Sequence, residues 1–313
     1  MLDGYQRTFI IQEPSPALRT TILNTCEAVV TLPKIIALAA EIDLVLDQLE
    51  TSSTVVLDGY HFDTQYQRAL RAADHRVVFI DDIQHCHFEA DAVINQAVGL
   101  TADQFSIASH TELCLGAAYA LLRPPFREAP ADKKRTELPL RRVFVCFGGA
   151  DFNNLSLKAL QRLIELPDLR HIDLVLGSAY RQEATIANLL DHSAGHSPTV
   201  SVHCNLTATA MAATMRASDV AIVPASGILY EALALDCPVI TGYYVDNQHK
   251  MYGGIVSTGA VVGVGDFNHF EGYASVLSSL DRQQLSELTI NREQLDIQSA
   301  TANFRRLFNR LRA

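Results

Sequence analysis

The sequence predicts an α/β protein of two doubly wound halves facing a cleft, with a helical C-terminal tail. Three observations predict it. Short apolar runs of strand length alternate with amphipathic helical stretches through most of the chain. The alternation breaks between about Ala118 and Leu140, where "LLRPPFREAPADKKRTELPLRR" is rich in Pro and charge, as a linker would be. From Phe270 onward the pattern is helical only. A length of 313 residues also favours two domains over one large core. These breaks predict an N-terminal domain at 1–125, a linker at 126–140, a second domain at 141–290 and a C-terminal helix at 291–313.

The elements follow in order. "TFIIQ" (8–12) and "AVVTL" (28–32) read as strands with a helix between them. "PKIIALAAEIDLVLDQLE" reads as a helix, with Pro33 suited to its first turn. "TVVLDGY" (54–60) is a strand and "TQYQRALRAADH" a helix. "RVVFIDD" (76–82) and "DAVINQ" (91–96) are strands. The second half restarts with the strand and loop "RVFVCFGGADFNN". The helices "LSLKALQRLIEL", "EATIANLLDH", "ATAMAATMRASD", "GILYEALALD" and "NQHKMYGGIVSTG" then alternate with the strands "IDLVLGS", "TVSVHCNL", "VAIVPA", "PVITGYY" and "AVVGVGD". Doubly wound folds bind ligands at the carboxyl ends of their strands, so candidate residues are sought there.

Composition narrows the function classes. Hydrophobic residues at 48% and charged residues at 19% exclude a disordered chain. A net charge of −10 argues against a nucleic-acid partner. No apolar run approaches membrane-spanning length, and the first residues carry no signal-peptide pattern. The six cysteines, at 26, 86, 114, 146, 204 and 237, form no C-x-x-C pair. They read as reduced, mostly buried thiols of a cytoplasmic protein.

Four stretches carry candidate chemistry. Gly148 and Gly149 follow the strand "VFVCF"; two glycines let the backbone approach a ligand, and free N–H groups at the next helix start suit phosphate. A tight turn without a ligand explains them as well. Ser226 and Gly227 open the helix that bears Glu231. Ser226 is expected at an N-cap whatever the function. Glu231 could accept both hydroxyls of a ribose, or simply complement the helix dipole. Asp246, Asn247 and Gln248 form a polar cluster after "PVITGYY", of which a helix cap explains only one. Asp58, Gly59, Tyr60 and His61 end a strand of the first half, as a functional loop or a plain turn would. The tract His85-Cys86-His87-Phe88-Glu89 has metal-like spacing, but no further pair completes a tetrahedral set; it reads as a solvated loop, with no metal and no cofactor expected. The chain lacks the dinucleotide, P-loop and Gly-x-Ser-x-Gly patterns.

Taken together, "FGGADFNN", "MRASDVAIVPASGILYEALALDCPVI", "DNQ", "VVLDGYHF", "VVFIDDI" and "GAAYALLRPPF" resemble the nucleotide-sugar hydrolases of pseudaminic acid biosynthesis, from about Thr54 to Asp266. Those enzymes are relatives of glycosyltransferases with the two-domain GT-B fold, including the MurG type. The resemblance implies two Rossmann-like domains and cleavage of a UDP-sugar of the 2,4-diacetamido-2,4,6-trideoxyhexose type by water. It implies that Ser226 and Gly227 meet the diphosphate and that Glu231 binds the ribose, with Gly148 and Gly149 close to the nucleotide. It further implies that Asn247 and Gln248 face the sugar or the water, with Asp58 and Asp246 on the sugar, and that Tyr60 reaches in from the opposite domain. The alternatives are a transferase of the same fold and a non-catalytic nucleotide-sugar binder.

One departure stands out. The family opens with a strand and a Gly-x-Gly-His-x-x-Arg loop, whose histidine is the catalytic acid/base; "MLDGYQRTFIIQ" instead resembles the end of the first helix and the second strand. His61, at a strand end, is the candidate replacement. Without a central first strand, its neighbours are expected to expose unpaired backbone groups or to close up.

Overall fold

The computed structural model describes residues 4–34, 37–128, 138–192 and 198–312. Residues 129–137 of the expected linker, and Ile35 and Ile36 of the expected second helix, lie outside them. The chain forms two compact units. The first comprises Met1–Asn95, Thr101–Leu115 and Thr301–Ala313; the second comprises Gln96–Leu100 and Gly116–Ala300. The expected boundaries divide the chain linearly, whereas these units interleave it.

The first unit contains strands β1 (Thr8–Gln12), β2 (Ala28–Leu32), β3 (Thr54–Asp58), β4 (Arg76–Ile80), β5 (Ala92–Asn95) and β6 (Glu112–Leu115). Helices α1 (Pro16–Leu23), α2 (Leu38–Leu46) and α3 (Thr64–Ala72) link the early strands. Ser15 and Asp63 cap α1 and α3 by accepting the N–H groups of Leu18 and Tyr66. α2 starts at Leu38 and not at Pro33, because Ala37 at its N-cap is still extended (φ −98°, ψ 122°). β6 is an element the sequence reading did not expect. "ELCL" is only four residues long and opens on a glutamate, so its apolar signal is weak.

β3, β4, β5 and β6 form a parallel four-stranded sheet, while β1 and β2 form a separate parallel pair. β1 and β3 do not pair with each other, so the sheet has not closed up. Phe9 on β1 and Val56 on β3 are 47% and 45% exposed, as expected beside open strand edges. β4 and β5 are covered on both faces, with Val77, Val78, Phe79, Val93 and Ile94 all buried.

The second unit holds β7 (Arg142–Val145), β8 (His171–Leu176), β9 (Thr199–Cys204), β10 (Val220–Pro224), β11 (Val239–Tyr243) and β12 (Val262–Asp266). Between them run α4 (Leu155–Leu163), α5 (Glu183–His192), α6 (Ala208–Ala217), α7 (Gly227–Ala234) and α8 (His249–Ser257); α9 (Tyr273–Ser279) and α10 (Arg282–Glu293) follow. The sheet is parallel throughout, in the order β12-β11-β10-β7-β8-β9. Counted within the unit and read from β9, this is 3-2-1-4-5-6, the doubly wound order. Alternate side chains feed two cores. Phe144, Val175, Ala221 and Val223 face one; Val143, Val145, Ile172, Leu174 and Ile222 face the other. Each such fully buried aliphatic side chain stabilises the fold by about 1.5–3 kcal/mol.

α11 (Ala300–Arg312) closes the chain. It belongs to the first unit because the Tyr5 hydroxyl donates to the Phe308 carbonyl (2.8 Å), Arg312 lies over the Tyr5 ring, and Arg310 pairs with Glu112. Among the described residues no helix is long and apolar enough to cross a membrane.

One polar cluster ties strands β7, β8 and β9 together. Asp173 is buried, and accepts from Arg142 Nε at 2.6 Å while lying 2.9 Å from His203 Nε2. Burial alone would raise the Asp173 pKa, but the bonds to Arg142 and His203 outweigh it and hold it below the usual 3.8. A depressed carboxylate contributes stability above its unfolded-state pKa and loses it as pH falls through the folded-state value. Asp173→Asn is therefore expected to cost about 1–3 kcal/mol near neutral pH. In urea unfolding followed across acidic pH, the gap between the variant and the parent should narrow as Asp173 protonates.

Candidate functional site

In a doubly wound sheet the loops after the two strands flanking the order reversal diverge to opposite faces and leave a crevice between them. Here those strands are β7 and β10, which are direct neighbours. The loop after β7 carries Gly148 and Gly149, and the loop after β10 carries Ser226 and Gly227.

The first loop is rigidly held. The Tyr244 hydroxyl donates to the Phe147 carbonyl (3.1 Å), and the Ala179 N–H donates to the Gly149 carbonyl (3.0 Å). Gly148 has φ +88°, a conformation that favours glycine. Gly177, at the end of β8, lies so close that a Cβ there would sit 2.3 Å from the Gly149 oxygen. Sequence reading missed Gly177, whose need for glycine arises only from this packing. Asp151 is buried and accepts the N–H groups of Leu155 and Ser156, both at 2.8 Å. Burial pushes its pKa up, while its bonds to Ser156 pull it down. The expectation that the following helix start offers free N–H groups to a phosphate is thus corrected: Asp151 already occupies the start of α4.

α7 is different. Ser226 holds the N-cap position in an extended conformation, but its hydroxyl makes no capping bond. The reading of Ser226 as an ordinary side-chain cap is corrected accordingly. Gly227 is exposed, with no atom within 4 Å of where its Cβ would lie. The start of α7 thus has neither a side-chain cap nor an acidic residue in its first turn to offset its partial positive charge.

Glu231, one turn further on, is only 5% exposed. Arg123 grips it with a two-pronged pair, Nε to Oε1 at 2.6 Å and Nη2 to Oε2 at 2.7 Å. The hydrogen bond to Glu231 raises the Arg123 pKa against the opposing effect of burial. The Arg123 guanidinium also lies over the Phe126 ring, 5.1 Å from its centroid. Sequence reading passed over Arg123 as part of a Pro-rich linker; a lone cation between "LL" and "PPF" was the available signal.

"DNQ" forms a single 3-10 turn before α8. Asp246 and Asn247 are exposed there, whereas Gln248 is buried and its Oε1 accepts the Tyr244 N–H (3.0 Å). Gln248 thus works within the loop that also braces Phe147.

In the first unit, Asp58 ends β3, and both burial and the charge of Asp82 raise its pKa. Tyr60 is 59% exposed, and its hydroxyl donates to Asp82 Oδ2 (2.8 Å). His61 Nε2 lies 3.4 Å from Glu41 Oε1. Glu41 is buried and also accepts from Gln12 Nε2 (2.6 Å) and the Tyr66 hydroxyl (3.3 Å). Gln12 ends β1 and Asp58 ends β3, so these groups gather at the carboxyl ends of their strands. Glu41 was not singled out in the sequence, because nothing in "ALAAEIDLVL" marks its one buried charge.

The histidine tract has other employment. His85 Nε2 faces the Phe62 carbonyl (3.2 Å), His87 Nδ1 faces Ser106 Oγ (2.8 Å), and Glu89 accepts Arg68. Among the described residues no three His, Cys, Asp or Glu side chains are arranged to hold a metal.

No family model matches the chain. Two curated proteins are similar to parts of it. An uncharacterized protein of Methanocaldococcus jannaschii is 26% identical over 206 residues, 63% of this chain and 42% of its own length. The spore coat polysaccharide biosynthesis protein SpsG of Bacillus subtilis is 25% identical over 178 residues, 56% of this chain and 50% of its own length. These matches span about half of each relative or less. Among solved structures, Acinetobacter baumannii MurG is similar with a TM-score of 0.56, 15% identity and coverage of 93% of this chain and 95% of that one. Arabidopsis thaliana UGT89C1 complexed with UDP-L-rhamnose gives 0.60 at 12% identity, covering 98% and 92%. A putative UDP-N-acetylglucosamine 2-epimerase from Listeria monocytogenes gives 0.59 at 12% identity, covering 94% and 85%. The chain has an α/β GT-B-like fold.

Asp151→Ala removes the carboxylate from the start of α4 and is expected to lower stability by about 1–2 kcal/mol. Asp151→Asn should recover part of this, since Asn tolerates the positive φ of 40° and keeps one acceptor oxygen. Urea denaturation of the two variants and the parent measures both effects.

Proposed function

We propose that the chain binds a UDP-sugar in its second unit and hydrolyses it to free sugar and UDP. The observation that carries this reading is the start of α7. At the order reversal of the sheet, a helix beginning "SGILYE" leaves its first N–H groups without a side-chain cap, while α4, on the other face, is closed by Asp151. An uncapped helix start carries roughly half a positive charge and suits a diphosphate. In this reading Ser226 and Gly227 meet the diphosphate, Gly148 and Gly149 border the nucleotide, and Glu231 accepts the ribose hydroxyls.

Hydrolysis forms a bond from a water oxygen to the anomeric carbon and breaks the bond from that carbon to the diphosphate oxygen. UDP departs with the bonding pair, and a base takes the water proton. The charge developing on the diphosphate is what fixed N–H dipoles stabilise, without needing to reorganise. The proposal assigns Asp246, Asn247 and Gln248 to the sugar side, with Gln248 acting mainly through its hold on Tyr244. Asp58, Tyr60 and His61 are proposed functional groups of the first unit, with His61 as acid/base beside Glu41. Similarity to MurG and to UGT89C1 complexed with UDP-L-rhamnose supports a second reading, transfer of the sugar to an acceptor.

Two experiments test these readings. In titration calorimetry, Glu231→Ala is expected to weaken UDP binding by about tenfold or more, whereas His87→Ala should leave it unchanged; equal affinity of Glu231→Ala and the parent would remove the ribose assignment. Product analysis after incubation with a UDP-sugar separates hydrolysis, which yields free sugar and UDP, from transfer, which yields a glycosylated acceptor.

A further inference from the structure

We propose that Arg123 is a positioning residue for ribose recognition, holding the buried Glu231 carboxylate in one orientation so that its remaining lone pairs serve the nucleotide's hydroxyls. The inference deepens the nucleotide-binding reading of the second unit and rests on it.

The geometry of the pair carries the argument. Two parallel bonds, 2.6 Å and 2.7 Å, connect one edge of the guanidinium to both carboxylate oxygens. Such a fork fixes the rotation of the carboxylate, which a single bond would not do. A carboxylate offers about four lone-pair sites, and the fork uses two. Each oxygen therefore keeps one acceptor position, the number a ribose with two adjacent hydroxyls requires.

Arg123 is itself held in place: it opens the Pro124–Phe126 turn in an extended conformation (φ −65°, ψ 152°) and lies over the fully buried Phe126 ring. Lysine at this position would supply the charge but not the fork.

The test compares UDP with 2′-deoxy-UDP on the parent, Arg123→Lys, Arg123→Gln and Glu231→Gln, using equilibrium binding; circular dichroism checks that each variant folds. The parent is expected to prefer UDP by on the order of tenfold or more, as for a hydrogen bond to a charged group. Both Arg123 variants should bring that preference to within about twofold while changing affinity for 2′-deoxy-UDP by less than about threefold. A purely structural Arg123 would weaken both ligands together and leave the preference intact. An Arg123 variant that folds and keeps the parent's preference overturns the inference and leaves the nucleotide site standing. A parent that binds no UDP, or binds both ligands equally, overturns the ribose reading and this inference with it.

Discussion

The second unit is governed by the demand of a parallel sheet for cover on both faces. β7, β8, β10 and β11 are almost wholly buried, so helices must lie above and below them. Chain connections of one hand can do this only if strand order reverses somewhere. The reversal falls between β7 and β10, and their outgoing loops turn towards opposite faces. Each of those loops starts a helix, whose first-turn N–H groups have no partner within the helix itself. The fold therefore makes a polar crevice before any particular side chain is chosen, and the side chains decide what it holds.

Buried carboxylates make that decision. Asp151, Asp173 and Glu231 are each almost fully withdrawn from water, where an uncompensated charge costs several kcal/mol. Each is answered differently: Asp151 by two helix N–H groups, Asp173 by an arginine and two histidines, Glu231 by an arginine fork. The first closes one helix start. The last leaves acceptor capacity over. α4 and α7, which pack into opposite cores, thus start with opposite electrostatic character, one closed by Asp151 and one without a side-chain cap.

The strands of the second unit were legible in the sequence because its buried runs, such as "VAIV" and "PVITG", are continuous and bounded by Gly, Pro and Asp. The switch-point loops were legible for the same reason. β6 was not, since four residues including Glu112 give no clear period. Asp151 was read only as part of a loop, although a short acidic side chain four residues before Leu155 is in reach of a helix start. Ser226 misled in the other direction: residue type named it a cap, and the backbone set its hydroxyl elsewhere. Arg123 was out of reach of local reading, because its partner is 108 residues away and only the tertiary fold joins them.

The same long-range logic applies to the last helix. Tyr5 and Phe308 are 303 residues apart and share a hydrogen bond within the first unit. α11 covers Tyr5 and reaches Glu112, although Gly116–Ala300 of the second unit lies between it and the strands of the first unit in the sequence. The loop that must be closed spans nearly the whole chain, which makes the contact entropically slow to form. The first unit therefore cannot complete its native structure until residues on the far side of the second unit's sequence are in place.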